Sequence, residues 1–367
     1  MATYIYQHKN WTDFTWENAT VSALLGEVRL LQGKLLGQVH LLGFSSKEEK
    51  NLEMLTLDVL KSSEIEGENL NYEQVRSSIA RRLGINVGGL VSSSRNVDGV
   101  VDMMLDATQN YKKPLTEERL FGWHAALFPM GYSGMYKIEV AQYRTEEMQI
   151  VSGAMGNEKV HYEAVPAKDV KAEMDKFLAW LNDDSVVIDS VLKAAIAHFW
   201  FEIIHPFDDG NGRIGRAISD MLLARSENSS ERFYSLSSLI QVDRANYYKT
   251  LNTVQHSSGD ITQWLVYFLT CLWHALLEAE KSIQNVLHKA EFWEKHKETI
   301  INKRQRLMIN KLFDDFFGKL TSSKWAKITK CSTDTALRDI KDLIEKGILA
   351  QDEAGGRSAS YTFLPKS

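Results

Sequence analysis

Cysteine, proline and long apolar runs are all scarce in this chain, and each scarcity narrows what it can be. Two cysteines among 367 residues, Cys271 and Cys331, provide neither a disulfide framework nor metal-ligand spacing, which suits a reducing cytosol. Only five prolines, beside 44% hydrophobic and 25% charged residues, give the composition of a soluble globular protein. The most apolar run, Trp264 to Leu277, is too short to span a membrane and reads as a core helix. Residues 1–20 are polar and aromatic and lack the apolar stretch of a signal peptide, so a cytoplasmic protein without a membrane partner is expected. A formal charge of −5 argues against nucleic-acid binding along the whole chain.

That charge is unevenly spread. From residue 300 onward there are 13 Lys+Arg and 8 Asp+Glu, a net of +5, while the preceding residues carry −10. The shift places a domain boundary near residue 300, in a chain long enough for two or three domains.

Helical periodicity dominates what lies between. Val21, Leu24, Leu25, Val28, Leu31, Leu35, Val39 and Leu42 share a face up to Gly43. Ser46 with Glu49 reads as a capping box for a second helix carrying Leu52, Leu55 and Val59. Asn71 and Gln74 open a third, stopped by Gly84, and the glycine- and serine-rich residues 84–94 read as a mobile loop. Helices are expected at 97–111, 116–127 and 170–181. Between the last two, β-branched residues and alternation predict a hairpin within 135–166, turning near Gly153–Gly156.

Twelve residues stand out, His205 to Arg216, reading HPFDDGNGRIGR. A helix arriving from Val191 is stopped by Pro206, and a new helix starts near Arg213. Gly210-Asn211-Gly212 before a helix offers free N–H groups and a positive dipole end, which suit an anion. Arg213 and Arg216, spaced i, i+3, reach the same side of that helix start. His205 faces them as a base, and Asp209 as a carboxylate for a divalent cation. Residues 210–215 also fit G-x-G-x-x-G, but two aspartates precede them and no series of βαβ units surrounds them, which argues against a dinucleotide fold. His198, one heptad earlier, reads as a core histidine, and Asp208 as a solvated neighbour.

The stretch resembles the core motif of the Fic (Fido) family, HPFx(D/E)GNGRxxR, and agrees at every fixed position. The resemblance implies a mainly helical, all-α fold: a Fic-type helical bundle with a β-hairpin flap. It also implies transfer of AMP from ATP to a protein hydroxyl, with Mg²⁺ or Mn²⁺ as cofactor. His205 is then the base, Asp209 the metal ligand, and Gly210, Asn211, Gly212, Arg213 and Arg216 the phosphate site. Tyr247 and Tyr248 lie in a YYxxL region that borders the base in similar proteins. Ser62, Glu66 and Gly67 match the family's inhibitory motif, (S/T)xxxE(G/N), whose glutamate would pair with Arg216. The hairpin within 135–166 is the implied docking site of a protein target. Homodimer formation is left open.

The resulting division is 1–95, a helical region with the inhibitory motif; 96–298, the catalytic domain; and 299–367, a winged-helix-like unit. That last unit reads as helices at 304–317, 322–329 and 332–346 followed by a hairpin with Gly355-Gly356-Arg357 at its tip. Arg338, Lys341 and Arg357 favour DNA; Asp334, Asp339 and Asp342 on the same helix oppose it, and the balance is against DNA. Two rival functions stand beside adenylyl transfer: removal of AMP from modified protein at the same site, and a DNA-binding regulator that senses nucleotide.

Overall fold

The computed structural model describes residues 4–152, 159–314, 316–352 and 359–364. Five helices come first: α1 (Asn18–Val39), α2 (Phe44–Ile65), α3 (Tyr72–Leu83), α4 (Arg95–Gln109) and α5 (Glu117–Leu127). Two antiparallel hairpins follow, β1 (Tyr132–Ser133) with β2 (Tyr136–Lys137), and β3 (Gln149–Ser152) with β4 (Lys159–Glu163). Next are α6 (Ala167–Asn182), α7 (Ser190–Ile204), α8 (Asn211–Glu227), α9 (Leu236–Val242), α10 (Arg244–Gln255) and α11 (Thr262–Lys295). The chain ends with α12 (Lys303–Phe313), α13 (Ser322–Thr329), α14 (Thr333–Glu345) and the antiparallel pair β5 (Leu349–Gln351) and β6 (Tyr361–Phe363). It divides into two compact units, Met1–Lys281 and Ser282–Ser367, the division falling inside α11. The fold is mainly helical, as expected. No helix among the described residues is long and apolar enough to cross a membrane.

In the first unit the elements start and stop for local reasons. Glu17 caps α1 by accepting from the N–H groups of Ala19 and Thr20, and Val21, Val28, Leu35 and Val39 form its buried stripe. The capping box expected at Ser46 and Glu49 does not form: the helix begins three residues earlier, with Gly43 at the cap position, which leaves Ser46 inside the first turn. Asn71 does cap α3, accepting from the Gln74 N–H, whereas the Gln74 side chain accepts from the N–H of Ser94. The loop 84–94, expected to be mobile, is tied down by Arg81, which donates to the Val91 carbonyl, and by Ser77, which accepts from the Val91 N–H.

The centre of this unit is α7 packed on α8. Every residue of α7 from Val191 to Ile204 except Lys193 is buried. A helix apolar all round can sit only where other helices cover each face. Here Phe177 of α6, Trp264 of α11 and aromatics of the N-terminal arm, Trp11 and Phe14, all pack against its aromatic residues. Tyr162 of β4 donates its hydroxyl to the Ile203 carbonyl, which seats the second hairpin on the end of α7. The turn expected near Gly153–Gly156 lies outside the described residues.

The second unit closes around Trp325, Met308, Ile340, Leu343 and Leu349. Its first helix stops at Phe313 rather than Phe317. Asp339, which weighs against DNA in the sequence, is buried and paired with Arg304 at 2.7 Å and with Asn302. Arg338 and Lys341 of the same helix are exposed. The tip at Gly355-Gly356-Arg357 lies outside the described residues.

Candidate active site

The corner between α7 and α8 needs two left-handed residues, and the sequence supplies them. His205 ends α7 at φ 49°, ψ 61°, and Gly210 opens α8 at φ 82°. A side chain at Gly210 would also strike the Phe128 ring at 2.9 Å. Asn211 closes the corner with its amide, accepting from the Phe207 N–H at 3.0 Å and donating to the Phe207 carbonyl at 2.8 Å. Buried Arg144 donates to the His205 carbonyl at 2.8 Å and also bonds the Val165 carbonyl, linking the roots of the second hairpin to the corner.

A second histidine braces the turn from behind. His124 stacks on Phe207 with ring centroids 4.3 Å apart. Its Nδ1 accepts from the Ala141 N–H, so Nε2 carries the proton and donates to the Asp209 carbonyl. Burial lowers its pKa to about 4, so it stays neutral in this role.

Both arginines of the motif are buried, and both are paired. Arg216 donates Nε to the Ser62 hydroxyl at 2.9 Å, and Nη2 to the Ser62 carbonyl and to Glu66 Oε1, each at 2.8 Å. Burial opposes its charge, but Glu66 together with Tyr247 and Tyr248 more than offsets it, and its pKa lies above the ordinary value. Glu66 itself sits over the first turn of α8: a Cβ added at Gly212 would lie 2.1 Å from its carboxylate oxygen. The anion seat of that helix N-terminus is therefore filled by a carboxylate of the chain itself. Gly67, left-handed at φ 83°, turns the chain back so that Glu68 reaches Arg213 Nη1 at 2.8 Å. The sequence reading missed Glu68, although an acidic residue on each side of Gly67 was the available signal.

The two tyrosines divide as adjacent helical residues must. Tyr247 turns inward, is 1% exposed, and shares a 2.9 Å hydrogen bond with Nε2 of His198, whose Nδ1 meets Ser219. His198 is thus a hydrogen-bonded core residue. Tyr248 is 40% exposed, with its hydroxyl donating to the Ile65 carbonyl at 3.4 Å and close to Glu66. Burial, and Glu66 beside it, push that hydroxyl up to about 12.

Asp209 accepts from its neighbour's N–H at Gly210 and from the Ser133 hydroxyl of β1, and lies 3.8 Å from Arg213. Among the described residues no three His, Cys, Asp or Glu gather to hold a metal. A single carboxylate, 40% exposed, fits Mg²⁺, which takes its remaining ligands from phosphate oxygens and water. Asp208 is not the solvated neighbour expected: it accepts from the Glu139 N–H at 2.9 Å and ties down the segment after β2. A cavity of about 370 Å³ opens beside Arg213, walled by Phe128, Tyr132, Ser133 and Glu68. Ser133 and His124 are further site residues that no motif announced.

Residues 114–223 match the model of the Fic/DOC family, and residues 4–85 match a domain of unknown function, DUF4172. Protein adenylyltransferase fic-1 of Caenorhabditis elegans is 33% identical over 100 residues, 27% of this chain and 18% of that protein. Protein adenylyltransferase Fic of Nematostella vectensis is 22% identical over 216 residues, 58% of this chain and 46% of that protein. The matches thus span less than half the length of these curated relatives. Among solved structures, a Fic family protein from Desulfovibrio desulfuricans aligns with TM-score 0.51 at 21% identity, over 95% of this chain and 97% of that one. A Fic domain-containing signaling protein from Bacteroides thetaiotaomicron aligns with TM-score 0.53 at 20% identity, over 70% and 98%. These two likenesses show the Fic fold.

Proposed function

On the premise that the chain carries a Fic/DOC family domain behind an N-terminal DUF4172 domain, we propose that it is a protein adenylyltransferase held in check by Glu66. The observation that carries this is the α7–α8 corner, where His205, Asp209, the N-terminus of α8 and two buried arginines converge, with Glu66 lying over them. His205 removes the proton from a Ser, Thr or Tyr hydroxyl of a target protein. The hydroxyl oxygen bonds to the α-phosphorus of ATP, the bond to the bridging oxygen breaks, and pyrophosphate leaves with that electron pair. Asn211 and Gly212 present N–H groups, with the turn at Gly210 opening the helix toward them, and Arg213 and Arg216 present guanidinium groups, to the charge that grows on the departing side. Asp209 would hold Mg²⁺ or Mn²⁺, which neutralises phosphate charge when bound. Tyr248, at the edge of the site beside Glu66, borders the nucleotide, while Tyr247 shapes that edge from below.

Inhibition follows from the Glu66–Arg216 pair and its neighbour at Ser62. A carboxylate over the first turn of α8 competes with phosphate for the same donors, and displacement of about 1 Å from in-line geometry costs roughly 10²-fold in rate. We read the hairpin β3–β4 as the surface that seats the target's backbone. The helices α12 to α14 with the last hairpin are read as a winged-helix-like unit outside the chemistry.

The test incubates wild type and Glu66→Gly with Mg²⁺ and α-³²P-ATP and finds AMP by mass spectrometry. Glu66→Gly is expected to carry at least about tenfold more label than wild type. Adding His205→Ala should remove about 10²- to 10⁴-fold of that transfer. Label that survives His205→Ala sinks the base assignment, and equal label with and without Glu66 sinks inhibition. Loss of AMP from modified protein that requires Glu66 would instead make the chain a hydrolase.

A further inference from the structure

We propose that Glu202 is the positioning residue of the His205 base: its carboxylate holds the imidazole as the Nδ1–H tautomer and leaves Nε2 to take the target's proton. The inference rests on His205 acting as the base. Glu202 lies in the last turn of α7, three residues before His205, and is only 6% exposed. Its Oε2 is 3.7 Å from His205 Nδ1. Among the described residues neither Glu202 Oε1 nor His205 Nδ1, both buried, has a hydrogen-bond partner. A buried carboxylate oxygen and a buried ring nitrogen without partners are each costly, and here the two groups lie side by side at the end of α7. A closure of less than about 1 Å converts the pair into a normal hydrogen bond.

Of the other groups near Glu202, both nitrogens of His198 are taken, by Ser219 and Tyr247. Arg216 spends Nε and Nη2 on Ser62 and Glu66, and its buried Nη1 has no partner among the described residues. Burial alone would raise the Glu202 carboxyl; His205 beside it, followed by His198 and Arg216, keeps it below its usual range, so it is ionised. Space for it comes from α8: a Cβ added at Gly215 would lie 3.0 Å from Glu202 Oε1. Meanwhile Arg144 fixes the His205 carbonyl, so the backbone is held from one side and the ring from the other.

The proton accounting is simple. The hydroxyl proton goes to Nε2, the Nδ1–H stays on the ring, and Glu202 remains ionised opposite the imidazolium that results. A charge-assisted bond is stronger than the neutral one it replaces, so the carboxylate favours the state in which the base has done its work.

Two measurements on the full chain test this. Nitrogen-15 NMR of the imidazole in wild-type protein needs no activity, and should show His205 as the Nδ1–H tautomer. Glu202→Gln keeps the volume and can donate to Nδ1, so it should shift the ring toward the Nε2–H form. In the Glu66→Gly background, Glu202→Gln should lower kcat about 10²-fold with KM for ATP unchanged, and Glu202→Asp should recover part of the loss. A wild-type ring in the Nε2–H form overturns the proposal, as does a Glu202→Gln protein with undiminished kcat. Should Glu66→Gly itself transfer no AMP, the functional reading fails, while the tautomer still decides the role of Glu202.

Discussion

Glu68 shows how much one residue can change the reading of a site. With Glu66 on Arg216 and Glu68 on Arg213, a three-residue turn neutralises both guanidinium groups of the motif. The two pairs are not equivalent, however. Glu66 is 28% exposed and Glu68 45%, and an ion pair whose carboxylate is that open to water contributes little. Glu68 should therefore act as a weak second competitor for phosphate, visible once Glu66 is gone. Adding Glu68→Gln to Glu66→Gly is expected to tighten ATP binding by about two- to tenfold, and isothermal titration calorimetry in Mg²⁺ reads it directly. An unchanged dissociation constant would mean that Arg213 exchanges Glu68 for phosphate at no net cost.

At the scale of elements, the helix that matters most is α2, because it delivers Ser62 and Glu66 and is held from its far side. Asn51 accepts from the Arg232 N–H at 2.8 Å, and Asp58 accepts from the Ser235 hydroxyl at 2.5 Å and the Ser237 N–H at 3.2 Å. Leu52, Leu55 and Val59 are buried along the same helix. Asp58→Ala strands the buried Ser237 N–H and should cost roughly 1–3 kcal/mol. It should also raise AMP transfer several-fold without touching the site, since a loosened α2 releases Arg216. Faster hydrogen exchange across 51–66 together with higher transfer is the expected pair of results; slow exchange with unchanged transfer would show that Glu66 holds α2 rather than the reverse. The sequence made α2 and its acidic end legible, because apolar spacing and a glycine stop are local signals. It did not reveal α9, whose seven residues are too short for periodicity, nor the cap at Gly43, where the hydrophobic Phe44 begins the helix.

For the whole molecule, acid is the revealing stress. His124 and His198 are buried and neutral, and burial lowers each to about 4 from an ordinary 6.5. The unfolded chain binds those protons first as pH falls, so the stability from neutral burial is complete above about pH 6.5 and lost on the way down to about pH 4. Each histidine accounts for roughly 3 kcal/mol over that window. Asp220 runs the other way, since burial and the nearby Asp58 raise its carboxyl. Comparing wild type with His198→Gln cancels such shared terms. Urea midpoints at pH 7.5 and pH 4.5 should converge between the two proteins as pH falls, and parallel midpoints would refute a depressed His198. What the sequence alone determined is whatever depends on neighbours in the chain: the mainly helical class, the stop at Pro206, the corner from His205 to Arg216, and the anion seat its backbone creates. Only the tertiary structure decided what fills that seat. Glu66 and Glu68 lie about 150 positions before the arginines they meet, the pairing of Asp209 with Ser133 joins a hairpin to the corner, and Tyr247 turns inward because His198 waits there. Spacing in sequence carries no information about such meetings, because they are set by how α2, α5 and α10 pack on the buried pair α7 and α8.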